Sequence, residues 1–209
     1  MSCQVKICGI SEERSLQQAV NSGVHLIGFV HFTRSPRHIS LDRAAELKAL
    51  LPAHVGSVMV LVDPDDALLE AISKQVAPTY LQLHGKETPA RVNEIRKRYP
   101  EQKIIKAIPV SEKADLAQAN SYDVDMLMFD AKPPKNATLP GGNGVAFDWK
   151  IMKAFASKKP WMLSGGLTPD NVAEAIRESG AKLVDVSSGV ESAPGKKDPE
   201  KIRAFINAL

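Results

Sequence analysis

The chain has 209 residues, 44% of them hydrophobic and 24% charged, with 27 lysines and arginines against 24 aspartates and glutamates. That is an ordinary balance for a globular protein long enough to bury a core without staples. A net charge of +3 is too small to point to a polyanionic partner, and no run reaches the ~18 apolar residues a membrane helix needs.

The densest basic stretch, "RVNEIRKRYP", fits a helical pattern with few aromatics nearby, so it reads as a solvated helix face and no nucleic-acid partner is expected. No basic-then-apolar leader opens the sequence. Cys3 and Cys8 share the first strand region, where an unstrained disulfide cannot form. A reducing cytoplasm is therefore the expected compartment.

In chain order, apolar runs predict strands at "QVKICGI", "HLIGFVHF", "GSVMVLVD", "TYLQLHG", "KIIKAIPV", "DMLMFDA", "PWMLSGG" and "LVDVSSG". Between them lie helical patterns such as "SEERSLQQAVNSG", "LDRAAELKALL" and "NVAEAIRESG". Asp63-Pro64, Thr88-Pro89, Thr168-Pro169 and Asp198-Pro199 each offer a cap followed by proline at the first helical position, and Gly23 and Gly180 sit where a helix should stop. The strand starts are mostly about 23 residues apart, near the minimum for a βα unit. Eight such units predict an α/β fold, a single (β/α)8 TIM barrel of parallel strands spanning 1–209 as one catalytic domain. An open doubly wound sheet would carry a glycine fingerprint after its first strand, and "CGISEE" is not one. The two longest intervals put extended loops, "TRSPRHI" and "KPPKNATLPGGNG", on the face where barrels do chemistry.

Strand alternation predicts which side chains point inward. In the first strand Lys6, Cys8 and Ile10 share the inner face, and a lysine beside Cys8 favours the thiolate, the form that can act as a base. A buried inert cysteine with a snorkelling lysine is the plain alternative. In the sixth strand Asp130 ends an inward row with Met126 and Met128, where burial can raise a carboxyl's pKa enough to donate a proton. An N-cap or loop-anchoring aspartate is the plain alternative. Gln82 and His84 point inward together, toward a polar substrate or toward each other, and Asp185 could hold sugar hydroxyls or a neighbouring cation. "LSGGL" and "SSGVE", after strands seven and eight, are candidate phosphate cradles, to which "PGGNG" could add donors. Arg37 has the planar fork that suits a carboxylate. The histidines and cysteines have no metal-ligand spacing, and dinucleotide and Walker motifs are missing, so the expectation is a cofactor-free enzyme acting on a small phosphorylated molecule.

Taken together, "KICGI", "GFVHFTRSPRHI", "LQLHG", "GGNGVAFDW", "LSGGLTPDNV" and "VDVSSGVESAPGKKD" resemble the phosphoribosylanthranilate isomerase family of tryptophan biosynthesis, in order and along the whole chain. The resemblance implies an Amadori rearrangement without cofactor, with Cys8 as general base and Asp130 as general acid. It also implies Arg37 at the anthranilate carboxylate, and Gly165, Gly166, Ser188 and Gly189 at the phosphate, with a contribution from Gly142. Asn143 and His38 stand where the family more often has threonine and an aromatic. The competing expectations are another phosphate-binding barrel enzyme, which fold alone does not exclude, and a non-catalytic sensor of phosphorylated ligands.

Overall fold

A computed structural model describes residues 3–132, 141, 144, 146–157 and 159–209. Its eight parallel strands close a barrel in sequence order: β1 (Gln4–Cys8), β2 (Leu26–Val30), β3 (Gly56–Leu61), β4 (Tyr80–Leu83), β5 (Lys103–Val110), β6 (Met126–Ala131), β7 (Trp161–Leu163) and β8 (Leu183–Val186). β1 completes the ring, pairing with β2 on one side and β8 on the other, which puts Lys6 in register with Asp185 and Cys8 with Gly28.

Alternation along the strands sorts the core into two shells. Val5, Ile7, Leu81, Leu83, Leu127, Phe129, Val184 and Val186 point out under the helices. Cys8, Val58, Ile105, Met128, Met162 and Leu183 fill the barrel. Ile10 departs from the expected pattern and joins the outer shell. The strand ends at Cys8, and Gly9 turns the chain at φ +79° before the alternation can continue.

The outer layer comprises α1 (Glu13–Asn21), α2 (Leu41–Ala49), α3 (Asp66–Gln75), α4 (Pro89–Arg98), α5 (Val172–Ser179) and α6 (Pro199–Asn207). Thr88 and Asp198 cap helices that begin with proline, as expected, and Gly180 ends α5 in the left-handed conformation. Two expected caps differ. Asp65 caps α3, because Asp63 instead takes φ +47° and spends its carboxylate on Lys86 N. α5 starts only after Asn171, whose side chain folds back on Thr168 N, so Thr168-Pro169 form a turn ahead of the helix. After β5 and β6 the outer elements are 3₁₀ segments, Lys113–Ser121 and Trp149–Ala154. Asp115 accepts from Ser111 N and Glu112 N at the start of the first one, and such local side-chain bonds compete with α-helix. Among the described residues, no helix is long and apolar enough to cross a membrane.

Candidate active site

The C-terminal ends of the strands open into a cavity of about 830 Å³ including its solvent-open mouth. Cys8, Arg37, Gln82, His84, Asp130, Gly165, Gly166, Asp185 and Ser188 all line it. Gly142 and Asn143 lie outside the described residues.

On the β1–β8 side, Lys6 is fully buried and its ammonium donates to Asp185 Oδ1 at 2.8 Å. Ser164, just past β7, donates to Asp185 Oδ2 at 3.1 Å. Burial presses Lys6 toward its neutral form, but the Asp185 carboxylate and the neighbouring Cys8 outweigh it and hold the lysine above its ordinary pKa. For Cys8 the balance goes the other way. Burial pushes the thiol up, and the nearby Lys6 and Lys197 ammoniums offset only part of that. Lys6 acts in the direction of the thiolate, but burial outweighs it. Space for the pair comes from β2, where a β-carbon on Gly28 would lie 3.0 Å from both Cys8 Sγ and Lys6 Nζ.

On the β4–β6 side, Gln82 Nε2 lies 3.0 Å from His84 Nδ1, and His84 Nε2 lies 3.2 Å from Asp130 Oδ2. Asp130 Oδ1 accepts from Ala131 N at 2.9 Å. Gln82 and His84 therefore bond each other, while Gln82 Oε1 has no partner among the described residues.

Arg37, on the loop after β2, is buried, with its Nε and Nη2 donating to the two oxygens of Glu191 at 2.7 and 2.9 Å. Among the described residues, none accepts from its Nη1. The glycine segments after β7 and β8 touch. A β-carbon on Gly189 would lie 1.9 Å from Leu167 O, so only glycine lets the two loops approach this closely. Gly189 thus packs against Leu167, while Gly165, Gly166 and Ser188 line the cavity. Residue-by-residue reading assigned no role to Ser164, Glu191 or Lys197. The last two sit on a hairpin, β9 (Glu191–Ala193) and β10 (Lys196–Lys197), that no alternation pattern announces.

A closed parallel barrel with its ionisable side chains gathered at the C-terminal mouth defines a (β/α)8-barrel enzyme. Residues 5–208 match the family model described as N-(5'-phosphoribosyl)anthranilate (PRA) isomerase. The chain belongs to that family. Its relatives include the N-(5'-phosphoribosyl)anthranilate isomerases of Paramagnetospirillum magneticum, 54% identical over 100% of this chain and 97% of the relative, and of Paracoccus denitrificans, 52% identical over 99% and 96%. Among solved structures, the phosphoribosylanthranilate isomerase from Thermus thermophilus is similar at a TM-score of 0.87 and 31% identity, covering 99% of this chain and 98% of that one. A further structure of such an isomerase, in complex with reduced 1-(o-carboxyphenylamino)-1-deoxyribulose 5-phosphate, gives 0.83 and 33%, covering 99% and 97%.

Proposed function

We propose that residues 1–209 act as one catalytic domain in the cytoplasm, isomerising N-(5-phosphoribosyl)anthranilate to 1-(2-carboxyphenylamino)-1-deoxyribulose 5-phosphate in tryptophan biosynthesis. The observation that carries this reading is the order of groups around one mouth. Arg37 follows β2, Cys8 ends β1, the touching glycine segments follow β8 and β7, and Asp130 lies on β6. A sugar phosphate seated on the glycine segments has a thiol on one flank and a carboxyl on the other. Its anthranilate ring then extends toward Arg37.

In this reading Asp130 gives its proton to the furanose ring oxygen, and the ring opens to a Schiff base. Cys8, as thiolate, takes the C2 proton and leaves an enolamine, which tautomerises to the ketone. His84 keeps Asp130 oriented. Gln82 Oε1, an acceptor with no partner among the described residues, is available to a sugar hydroxyl. Asp185 serves as counter-ion to Lys6 rather than as a direct ligand.

The test follows loss of anthranilate-type fluorescence from freshly made substrate, with chelator present. Cys8→Ala and Asp130→Asn, each confirmed as folded, should each lose about 10²–10⁴-fold in kcat, the usual contribution of a positioned acid or base. A folded parent with no turnover would sink the proposal. Turnover surviving Cys8→Ala would keep the reaction and move the base elsewhere.

A further inference from the structure

Three charged side chains meet in the protein interior beside the cavity. Arg37, Glu191 and Lys197 are all buried, and Glu191 lies between the two cations. It accepts from Arg37 Nε and Nη2 at 2.7 and 2.9 Å, and from Lys197 Nζ at 2.7 Å. Lys197 also donates to the carbonyl and hydroxyl of Ser187 at 2.9 and 3.2 Å, and Ser187 Oγ in turn donates to Cys8 O. The cluster is thus pinned to the ends of both β8 and β1.

The Arg37 loop is held by shape as well. A β-carbon on Gly9 would lie 2.7 Å from Arg37 Cδ, and one on Gly195 would lie 2.3 Å from Pro36 O. The arginine stem rests on one glycine while the β9–β10 hairpin presses against the loop through another. Both contacts depend on glycine and keep the arginine stem and its loop close to their neighbours.

Two cations and one anion leave one positive charge, and the Glu191 contact leaves the Nη1 edge without a partner among the described residues. We propose that Glu191 is a positioning residue: by bracing Arg37 side-on, with Lys197 holding it from behind, it aims the end-on edge of the guanidinium at the substrate's carboxylate and sets the preference for a carboxylated aryl amine. This rests on the reading of Arg37 as the carboxylate ligand. The physical basis is that a bidentate arginine–carboxylate contact depends on direction as well as charge, so an arginine fixed beforehand loses less freedom on binding. Replacing Glu191 with glutamine removes one acceptor and turns an amide N–H toward the guanidinium donors.

The experiment compares two ligands by titration calorimetry: reduced 1-(o-carboxyphenylamino)-1-deoxyribulose 5-phosphate and its phenylamino counterpart lacking the carboxylate. The preference is the ratio of their dissociation constants. In Glu191→Gln it should fall roughly tenfold, the scale of a charged hydrogen bond, while affinity for the counterpart stays within about twofold. A merely structural role would weaken both ligands alike, and that result overturns the proposal.

Arg37→Met separates the two claims. If it keeps the parent's preference, the reading of Arg37 fails and the proposal with it. If it loses the preference while Glu191→Gln keeps it, Arg37 stands and the role of Glu191 fails. Glu191→Gln/Lys197→Met restores the cluster's net charge without the side-on brace, and it serves if the single variant does not fold. Its preference should stay low, and recovery would mean that charge rather than direction sets it, overturning the proposal.

Discussion

On the β1–β8 wall, Cys8 sits beside a lysine with no solvent exposure and a carboxylate with almost none; on the β4–β6 wall, Asp130 touches an imidazole that is partly open to the cavity. The first arrangement is an ion pair, the second a chain of hydrogen bonds. A thiol that must lose a proton in a low-dielectric pocket needs a nearby fixed cation, and that cation needs its own anion to remain charged. Asp130 is buried as well, but its partners are hydrogen-bonding groups rather than a fixed ion pair. The difference teaches that the expensive side of the site is the one holding the base.

Removing the cation tests this most severely. Lys6→Met strands Asp185 inside the barrel and should lower stability by about 3–5 kcal/mol in urea unfolding, whereas Lys6→Met/Asp185→Leu should recover most of that. A single variant as stable as the parent would mean that the wall is not dry.

The next effect concerns protonation. Because burial holds Cys8 above its ordinary value near 9.0, the thiolate fraction of the unliganded protein should still be climbing at pH 9 without levelling. Iodoacetamide labelling of the Cys8 peptide, read by mass spectrometry apart from Cys3, measures it. Lys6 lowers the Cys8 pKa, so labelling in Lys6→Met should be slower at that pH. A plateau below pH 9 would mean a preformed thiolate and would erase the contrast between the walls.

The smallest effect belongs to the other side. His84→Asn removes one partly exposed contact to Asp130 and should cost about 1 kcal/mol of stability. A loss as large as that of Lys6→Met would show the imidazole to be as deeply committed as the lysine.

Much of this contrast could be read from alternation alone. The period of two sent Lys6, Cys8, Gln82, Asp130 and Asp185 inward, and the spacing of apolar runs anticipated all eight strands. The reading failed where a single backbone angle intervened. Gly9 at φ +79° carries Ile10 out of the inner row, and Asp63 at φ +47° gives up the cap to Asp65. It was silent where partners are distant in sequence, since Glu191 meets Arg37 across 154 positions. Nothing local in "VESAPGKKD" tells a buried carboxylate from an exposed one. Asp185 lay between, because a neighbouring cation was foreseeable but its identity as Lys6 needed the closing of β1 on β8.

Gly28 bears on any attempt to transplant this chemistry. It supplies no atom to the reaction, yet a single methyl group at its position would compete for the volume that Cys8 Sγ and Lys6 Nζ occupy. The smallest transferable unit is therefore not the cysteine, nor the cysteine with its lysine, but two residues on one strand and a vacancy on the next. A designer who copied only the reactive side chains into another barrel would find the host's neighbouring strand already filling their place.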